Sequence, residues 1–167
     1  MKDPISFIEL FAGDTAGINR MSGLASSIVK EYYDPIIGAA QNDYMIEKFQ
    51  SVGSISNQLE SGKRYFFVLE NGKDAGFMCF FRRNDAIYLS KLYLKKIARG
   101  KGYSRIMLGL IAGEAEKLGL SAVELNVNKG NESKYIYEKL GFQRIRAEKN
   151  DIGGGFFMDD YVYRLEL

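Results

Sequence analysis

Residues 92–104 read LYLKKIARGKGYS, and this stretch decides how the chain around it is organised. Leu92, Tyr93 and Leu94 end a β-rich, alternating run. A short basic turn with two glycines follows, and from Tyr103 the apolar period changes. Tyr103, Ile106, Met107, Leu110, Ile111 and Leu118 lie along one face of an amphipathic helix, and Gly119 suits its end. A strand running through a tight turn into a helix collects unpaired main-chain N–H groups and the positive end of the helix dipole. Both favour an anion. Gly100 and Gly102 let the backbone approach a ligand without an intervening Cβ, and Arg99 and Lys101 add positive charge. The segment therefore has the parts of a pyrophosphate cradle, although a glycine turn opening a helix is often only a turn. It is not a nucleotide-hydrolase P-loop, since no G-x-x-x-x-G-K-[ST] string is present. Nor is it the dinucleotide fingerprint, because Arg105 stands where the third glycine belongs.

Towards the N-terminus, three strand candidates precede the turn, at residues 64–70, 75–83 and 86–95. Asn71-Gly72 and Asn84-Asp85 separate them as hairpin turns, which predicts an antiparallel meander. The last strand alternates, with Ala86, Tyr88, Ser90, Leu92 and Leu94 on one face. A first strand is predicted at residues 5–10, a helix at 14–33 that Pro35 should end, and a second helix at 41–50. Towards the C-terminus follow a strand at 122–128, a helix at 132–140 closed by Gly141, a strand from Phe142, and a last strand at 156–167. Gly109 and Gly113 cost about 1 kcal/mol each relative to Ala in the central helix. The expected reason for them is a close approach of helix to sheet. The element order predicts one α/β domain over residues 1–167, a mixed, mostly antiparallel sheet flanked by helices.

Composition narrows the function. A chain of 167 residues with 46% hydrophobic and 26% charged residues is an ordinary globular domain. A net charge of +2 gives no whole-protein electrostatic case for nucleic acid. There is no histidine, which removes Ser-His-Asp and Cys-His catalysis and histidine metal sites; no metal site is expected. The single cysteine, Cys79, lies in an apolar run and reads as an inert core thiol. Met1-Lys2-Asp3-Pro4 has no long apolar run behind it, unlike a secretory signal. No stretch approaches the ~20 apolar residues of a membrane span. The expectation is a cytoplasmic protein that engages neither membrane nor nucleic acid.

A second segment, residues 128–142, reads NKGNESKYIYEKLGF. Taken in order with R-x-x-G-x-S at residues 99–104, it resembles the GNAT superfamily of N-acetyltransferases. The first part is similar to the family's [QR]-x-x-G-x-[GA] loop, with Ser104 in the place of Gly or Ala. The second is similar to its asparagine, tyrosine and terminal Gly-Phe, here Asn131, Tyr137 and Gly141-Phe142, with one residue fewer between Asn131 and Tyr137 than in the common form. The element order agrees with the GNAT fold. Residues 32–37, 41–50 and 151–163 are loosely similar to a bacterial subgroup that includes polyamine acetyltransferases.

The resemblance implies acetyl-CoA as cosubstrate and an amine as acceptor. It implies that the backbone of Leu92, Tyr93 and Leu94 pairs with the pantetheine arm, an N–H near Leu94 polarising the acetyl carbonyl. It places the pyrophosphate on Arg99, Gly100, Lys101, Gly102, Tyr103 and Ser104, and it makes Tyr137 the general acid. A phenol stays protonated at neutral pH and can donate to a departing thiolate. The plainer reading of Tyr137 is a packed aromatic. Asn131 is a cofactor contact, a helix cap, or both; Asn126 lines the cleft or sits on a strand surface. The base is not identified. Asp159 and Asp160 point to opposite faces of a strand, so only one can enter a cleft, and both also fit a solvated face. Either, with Asp34 or Glu31, would attract a cationic substrate, and Tyr32-Tyr33 is either an alkylammonium contact or core packing. The acceptor expected is a small cationic amine such as a polyamine. A peptide or protein amine is the alternative, and a non-catalytic acyl-CoA sensor belongs to a different class. The family makes a homodimer common.

Overall fold

The computed structural model describes residues 4–167, so the sequence reading of Met1, Lys2 and Asp3 lies outside the described residues. Seven strands form one sheet in the order β1-β2-β3-β4-β5-β7-β6. They are β1 Ile5–Leu10, β2 Arg64–Glu70, β3 Lys73–Arg83, β4 Ala86–Leu94, β5 Ala122–Asn128, β6 Gln143–Gly153 and β7 Phe156–Glu166. The helices are α1 Thr15–Ile37, α2 Ala39–Gln50, α3 Val52–Glu60, α4 Tyr103–Lys117 and α5 Ser133–Lys139. The pairs β1–β2, β2–β3, β5–β7 and β6–β7 are antiparallel, and β4–β5 is parallel. This is the mostly antiparallel α/β sheet that the pattern predicts. No helix among the described residues is long and apolar enough to cross a membrane. The chain divides into two compact units, one of residues up to 80 with 91–103, the other of residues 81–90 with 104–167.

In the first unit the apolar stripe of α1 (Ile18, Met21, Leu24, Ala25, Ile28) meets Ile55 and Leu59 of α3 and alternate residues of β2 and β3, among them Tyr65, Phe67 and Phe77. Cys79 is fully buried in this core, as its apolar surroundings predict. Two expectations need correction. Pro35 does not end α1, which runs on to Ile37. A proline in the last turn removes one helical hydrogen bond, and contacts from α2 hold that turn. The buried Asn42 amide donates to the Val29 carbonyl at 3.1 Å and to the Asp34 carboxylate at 2.8 Å, and Gly38 N–H closes on the Asp34 carbonyl at 3.0 Å. Helix α3 has no counterpart among the elements that the sequence pattern predicts. Its signals are short: Ser51 caps the Ser54 N–H, and Ile55 and Leu59 supply one buried turn.

Lys91 of β4 is buried and has no carboxylate partner among the described residues. Its ammonium donates to the Phe49 carbonyl at 2.7 Å, to Gln50 Oε1 at 3.0 Å and to the Tyr65 hydroxyl. Tyr65 in turn donates to Gln58 at 2.8 Å. This network ties the α2–α3 junction to the strand that leads into the basic turn. Burial pulls the Lys91 ammonium down to about 8. Because the folded value lies below the unfolded one, the unfolded chain binds more protons between pH 8 and 10, and stability rises with pH across that window. Denaturant titration is expected to show a gain of about 2 kcal/mol from pH 8 to 10 that Lys91→Met abolishes. An unchanged pH slope in the variant contradicts this.

In the second unit, period-2 alternation sorts the side chains of β5, β6 and β7 onto two faces. Glu124, Asn126, Glu148 and Asp160 share one face through the registers Asn128↔Asp160 and Glu148↔Asp160. Tyr161 and Tyr163 share the other, where the Tyr163 hydroxyl donates to Glu138 of α5 at 3.0 Å. Gly141, at φ 100°, ends the α5 segment as its sequence predicts. Helix α4 buries Met107, Leu108, Ile111 and Ala115, whereas Leu118 is half exposed rather than part of the apolar stripe.

The close-approach explanation for Gly109 and Gly113 fails, because a Cβ at either position meets nothing within 4 Å. Gly76 of β3 is where the backbone crowds: a Cβ there would lie 2.2 Å from the Tyr93 carbonyl oxygen. The same substitution should therefore have opposite signs in thermal denaturation. Gly109→Ala stabilises by about 0.5–1 kcal/mol through helix propensity, and Gly76→Ala destabilises by about 1–3 kcal/mol through overpacking. Equal signs would contradict these packing assignments.

Candidate active site

In the first unit, β4 ends at Leu94, a single 3-10 turn occupies Lys96–Ala98, and Gly100 and Gly102 adopt φ of 76° and 79° before α4 begins at Tyr103. An L side chain is disfavoured at such angles, so the two glycines set the path of the turn. Arg99 does not extend into solvent. Its Nε donates to the Leu94 carbonyl at 2.9 Å, its guanidinium pairs with Glu31 at 2.8 Å, and it lies 4.8 Å from the Tyr32 ring centre. Lys101 pairs with Glu70 of β2 at 3.0 Å, and the Tyr103 hydroxyl donates to the same carboxylate. The Tyr103 hydrogen bond and then Lys101 hold Glu70 below its usual range, while Glu70 raises both partners. Arg99 and Lys101 are thus both engaged by carboxylates. What the turn offers an anion first is main-chain N–H.

Two acidic residues weighed for substrate attraction have other partners. Asp34 accepts from Asn42 and pairs with Lys30 at 3.0 Å, and these hold its carboxyl low. Glu31 belongs to Arg99. Tyr32, Tyr33 and Tyr93 pack edge-on at 5.1–6.3 Å between ring centres, and Phe77 stacks on Tyr93 at 5.3 Å. The rings of the aromatic cluster pack on one another, with Tyr33 and Tyr93 against the core of the first unit.

In the second unit, Asn131 is buried and its side-chain oxygen accepts the Ser133 N–H at 2.8 Å, so it opens α5. One turn later Tyr137 lies half-buried, edge-on to Phe142 at 5.6 Å. Asp159 and Asp160 do point to opposite faces. Asp159 pairs with Lys129 at 3.0 Å, while Asp160 is only 3% exposed, which excludes the solvated-face reading for it. Asp160 lines a groove of about 550 Å³ on the face away from Tyr163 and α5. Asn126 lies in the same groove, and its amide donates to Asp160 at 3.4 Å and to Glu148 at 3.3 Å. Burial, then the charges of Asp159 and Glu148, push the Asp160 carboxyl up to about 6, against the Asn126 hydrogen bond. Glu124, Glu148 and Asn150 were not singled out from sequence. The available signal was the alternation of polar residues at 124, 126 and 128 and at 146, 148 and 150. Among the described residues no group of three or more His, Cys, Asp or Glu is placed to hold a metal ion.

The family model of the acetyltransferase (GNAT) domain matches residues 24–158. The chain is 26% identical over 102 residues to the [ribosomal protein bS18]-alanine N-acetyltransferase of Haemophilus influenzae, covering 60% of this chain and 68% of that one. Among solved structures it resembles the PaiA N-acetyltransferase of Thermoplasma acidophilum in complex with coenzyme A, with a TM-score of 0.79, 18% identity and 100% of both chains covered. It also resembles the ribosomal-protein-S18-alanine N-acetyltransferase of Escherichia coli, with a TM-score of 0.65, 18% identity, and 97% and 93% covered. At such identities these structures speak for the fold, and the family match speaks for the chemistry. The chain belongs to the GNAT family of acetyltransferases and is an N-acetyltransferase that uses acetyl-CoA as cosubstrate.

Proposed function

We propose that the chain, acting as one acetyltransferase domain in the cytoplasm, transfers the acetyl group to a primary amine by direct attack, with a small cationic amine as acceptor. The observation that carries the chemistry is the turn held by Gly100 and Gly102 at the head of the 15-residue α4. Its main-chain N–H groups and helix dipole suit a diphosphate. In this reading the diphosphate rests on residues 99–104. The backbone of Leu92, Tyr93 and Leu94 lines the pantetheine arm, an amide near Leu94 polarises the thioester carbonyl, and Asn131 contributes a further contact. Binding both reactants in one site supplies much of the rate through proximity. The amine reacts in its neutral form: as its nitrogen bonds to the acetyl carbon, the carbon–sulfur bond breaks, the Tyr137 hydroxyl protonates the departing thiolate, and the proton shed by the nitrogen passes through water to restore the phenol.

Two relatives favour a second reading. The Haemophilus influenzae and Escherichia coli enzymes are named for the alanine of a ribosomal protein, which makes a protein amine the alternative acceptor. Thiol release from acetyl-CoA, measured with a panel of amines and with an alanine-initiated peptide, separates the two. Tyr137→Phe is expected to lower kcat about 100-fold with acetyl-CoA affinity unchanged. Tight cofactor binding without turnover on any amine would make the chain an acyl-CoA sensor and refute the enzymatic reading.

Glu70 gives a second test of the cradle. Its carboxylate holds Lys101 and lies beside the residues assigned to the diphosphate. Glu70→Gln releases Lys101 and removes a like charge, so calorimetry is expected to show acetyl-CoA binding about 2–5-fold tighter, most clearly at low salt. Unchanged affinity would place the diphosphate elsewhere.

A further inference from the structure

Every lining residue of the polar groove belongs to the second unit, and among the described residues its walls carry five charged side chains. Three of them are neutralised within the protein. Glu124 pairs with Arg164 at 2.6 Å, and Glu148 pairs with Arg146 at 2.7 Å. The other two, Asp160 and Arg83, are opposite in charge, and neither has an ion pair among the described residues. Asp160 is buried, and a buried carboxylate is costly unless paired and well hydrogen-bonded. Its hydrogen bond is the long one from Asn126 at 3.4 Å, whose amide it shares with Glu148. Arg83 is exposed yet held, its guanidinium 3.7 Å from the centre of the Tyr88 ring. A ring face positions a cation without neutralising it. Tyr88 belongs to β4 and Asp160 to β7, with β5 between them, so about 10 Å of sheet separates their strands. Among the described residues the carboxylates form no metal-binding group.

We infer that the groove binds a zwitterion of the ω-amino acid kind, its ammonium received by Asp160 and its carboxylate by Arg83. Such a ligand supplies each unpaired charge with a counter-charge and leaves the two existing ion pairs intact. A simple amine would satisfy Asp160 alone, and a simple acid Arg83 alone. The three N–H donors of an ammonium suit the Asp160 carboxylate and the Asn126 side-chain oxygen. A guanidinium takes a carboxylate through parallel N–H bonds. The separation of the strands favours a ligand whose charges are several bonds apart over an α-amino acid. Ala86 and Met158 offer its methylene chain apolar surface in the same walls, and the volume of about 550 Å³ accommodates a molecule of this length. Burial above all raises the Asp160 carboxyl, and an ammonium beside it would keep it ionised. All the groups of this seat lie in one unit, and its binding does not depend on which amine is acetylated.

Calorimetry on the full chain without acetyl-CoA tests the seat apart from any acetyl transfer. The probes are 4-aminobutanoate, 6-aminohexanoate and 8-aminooctanoate, each beside the amine and the acid of the same chain length. The best of the three zwitterions is expected to bind at least about tenfold tighter than either of its singly charged analogues, the discrimination of one charged hydrogen-bonded contact. Arg83→Gln should remove the advantage over the amine and keep the advantage over the acid. Asp160→Asn should do the opposite. This crossed pattern guards against a folding defect, which would weaken all the compounds together, and Arg83 is an exposed position where substitution disturbs no core. Three results would each overturn the assignment: no saturable binding of any zwitterion, an amine or acid that binds as tightly as its zwitterion, or the same loss for every compound in both variants.

Discussion

The structure depends most on the turn that carries the chain from β4 into α4. Two glycines at positive φ bend it, and Arg99 fastens its base by donating to the carbonyl at the end of the strand. The turn is also supported from outside. Glu31 of α1 and Glu70 of β2 each take one of its cations, so their positions are fixed by the packing of the whole first unit. Behind the strand, Gly76 permits a backbone approach that no side chain would allow, and the buried Lys91 anchors the helix junction to it. Much of the packing in the first unit thus goes towards holding one strand and one turn in place.

The second unit uses a simpler device. Alternation along β5, β6 and β7 separates a face that carries α5, with Glu138 on Tyr163, from a face that carries the polar groove. The family match establishes acetyl transfer, while the polar groove is a property of this chain's own residues.

The turn, α4, the α5 segment and the hairpins were legible because each announces itself through glycine and asparagine chemistry or a change of period. Asn131 and Gly141-Phe142 bound α5 as their spacing predicts. What the sequence hid was decided by tertiary contacts. Asn42 and Lys30 hold the end of α1 in spite of Pro35, and α3 is a nine-residue helix whose stability comes from packing against α1 rather than from propensity. The acidic pair at 159–160 was visible, and so was its opposite orientation. The burial of Asp160, and the pairing that leaves it without an ion pair among the described residues, depends on which residues of β6 and β5 lie across from it, and register is not written in any single strand.

A crystal structure with coenzyme A bound tests the central claim most directly. The account predicts the diphosphate on the main-chain amides of residues 100–104 and the coenzyme sulfur within about 3.5 Å of the Tyr137 hydroxyl. A diphosphate held away from this turn, or a sulfur beyond reach of Tyr137 with no bridging water, would contradict it.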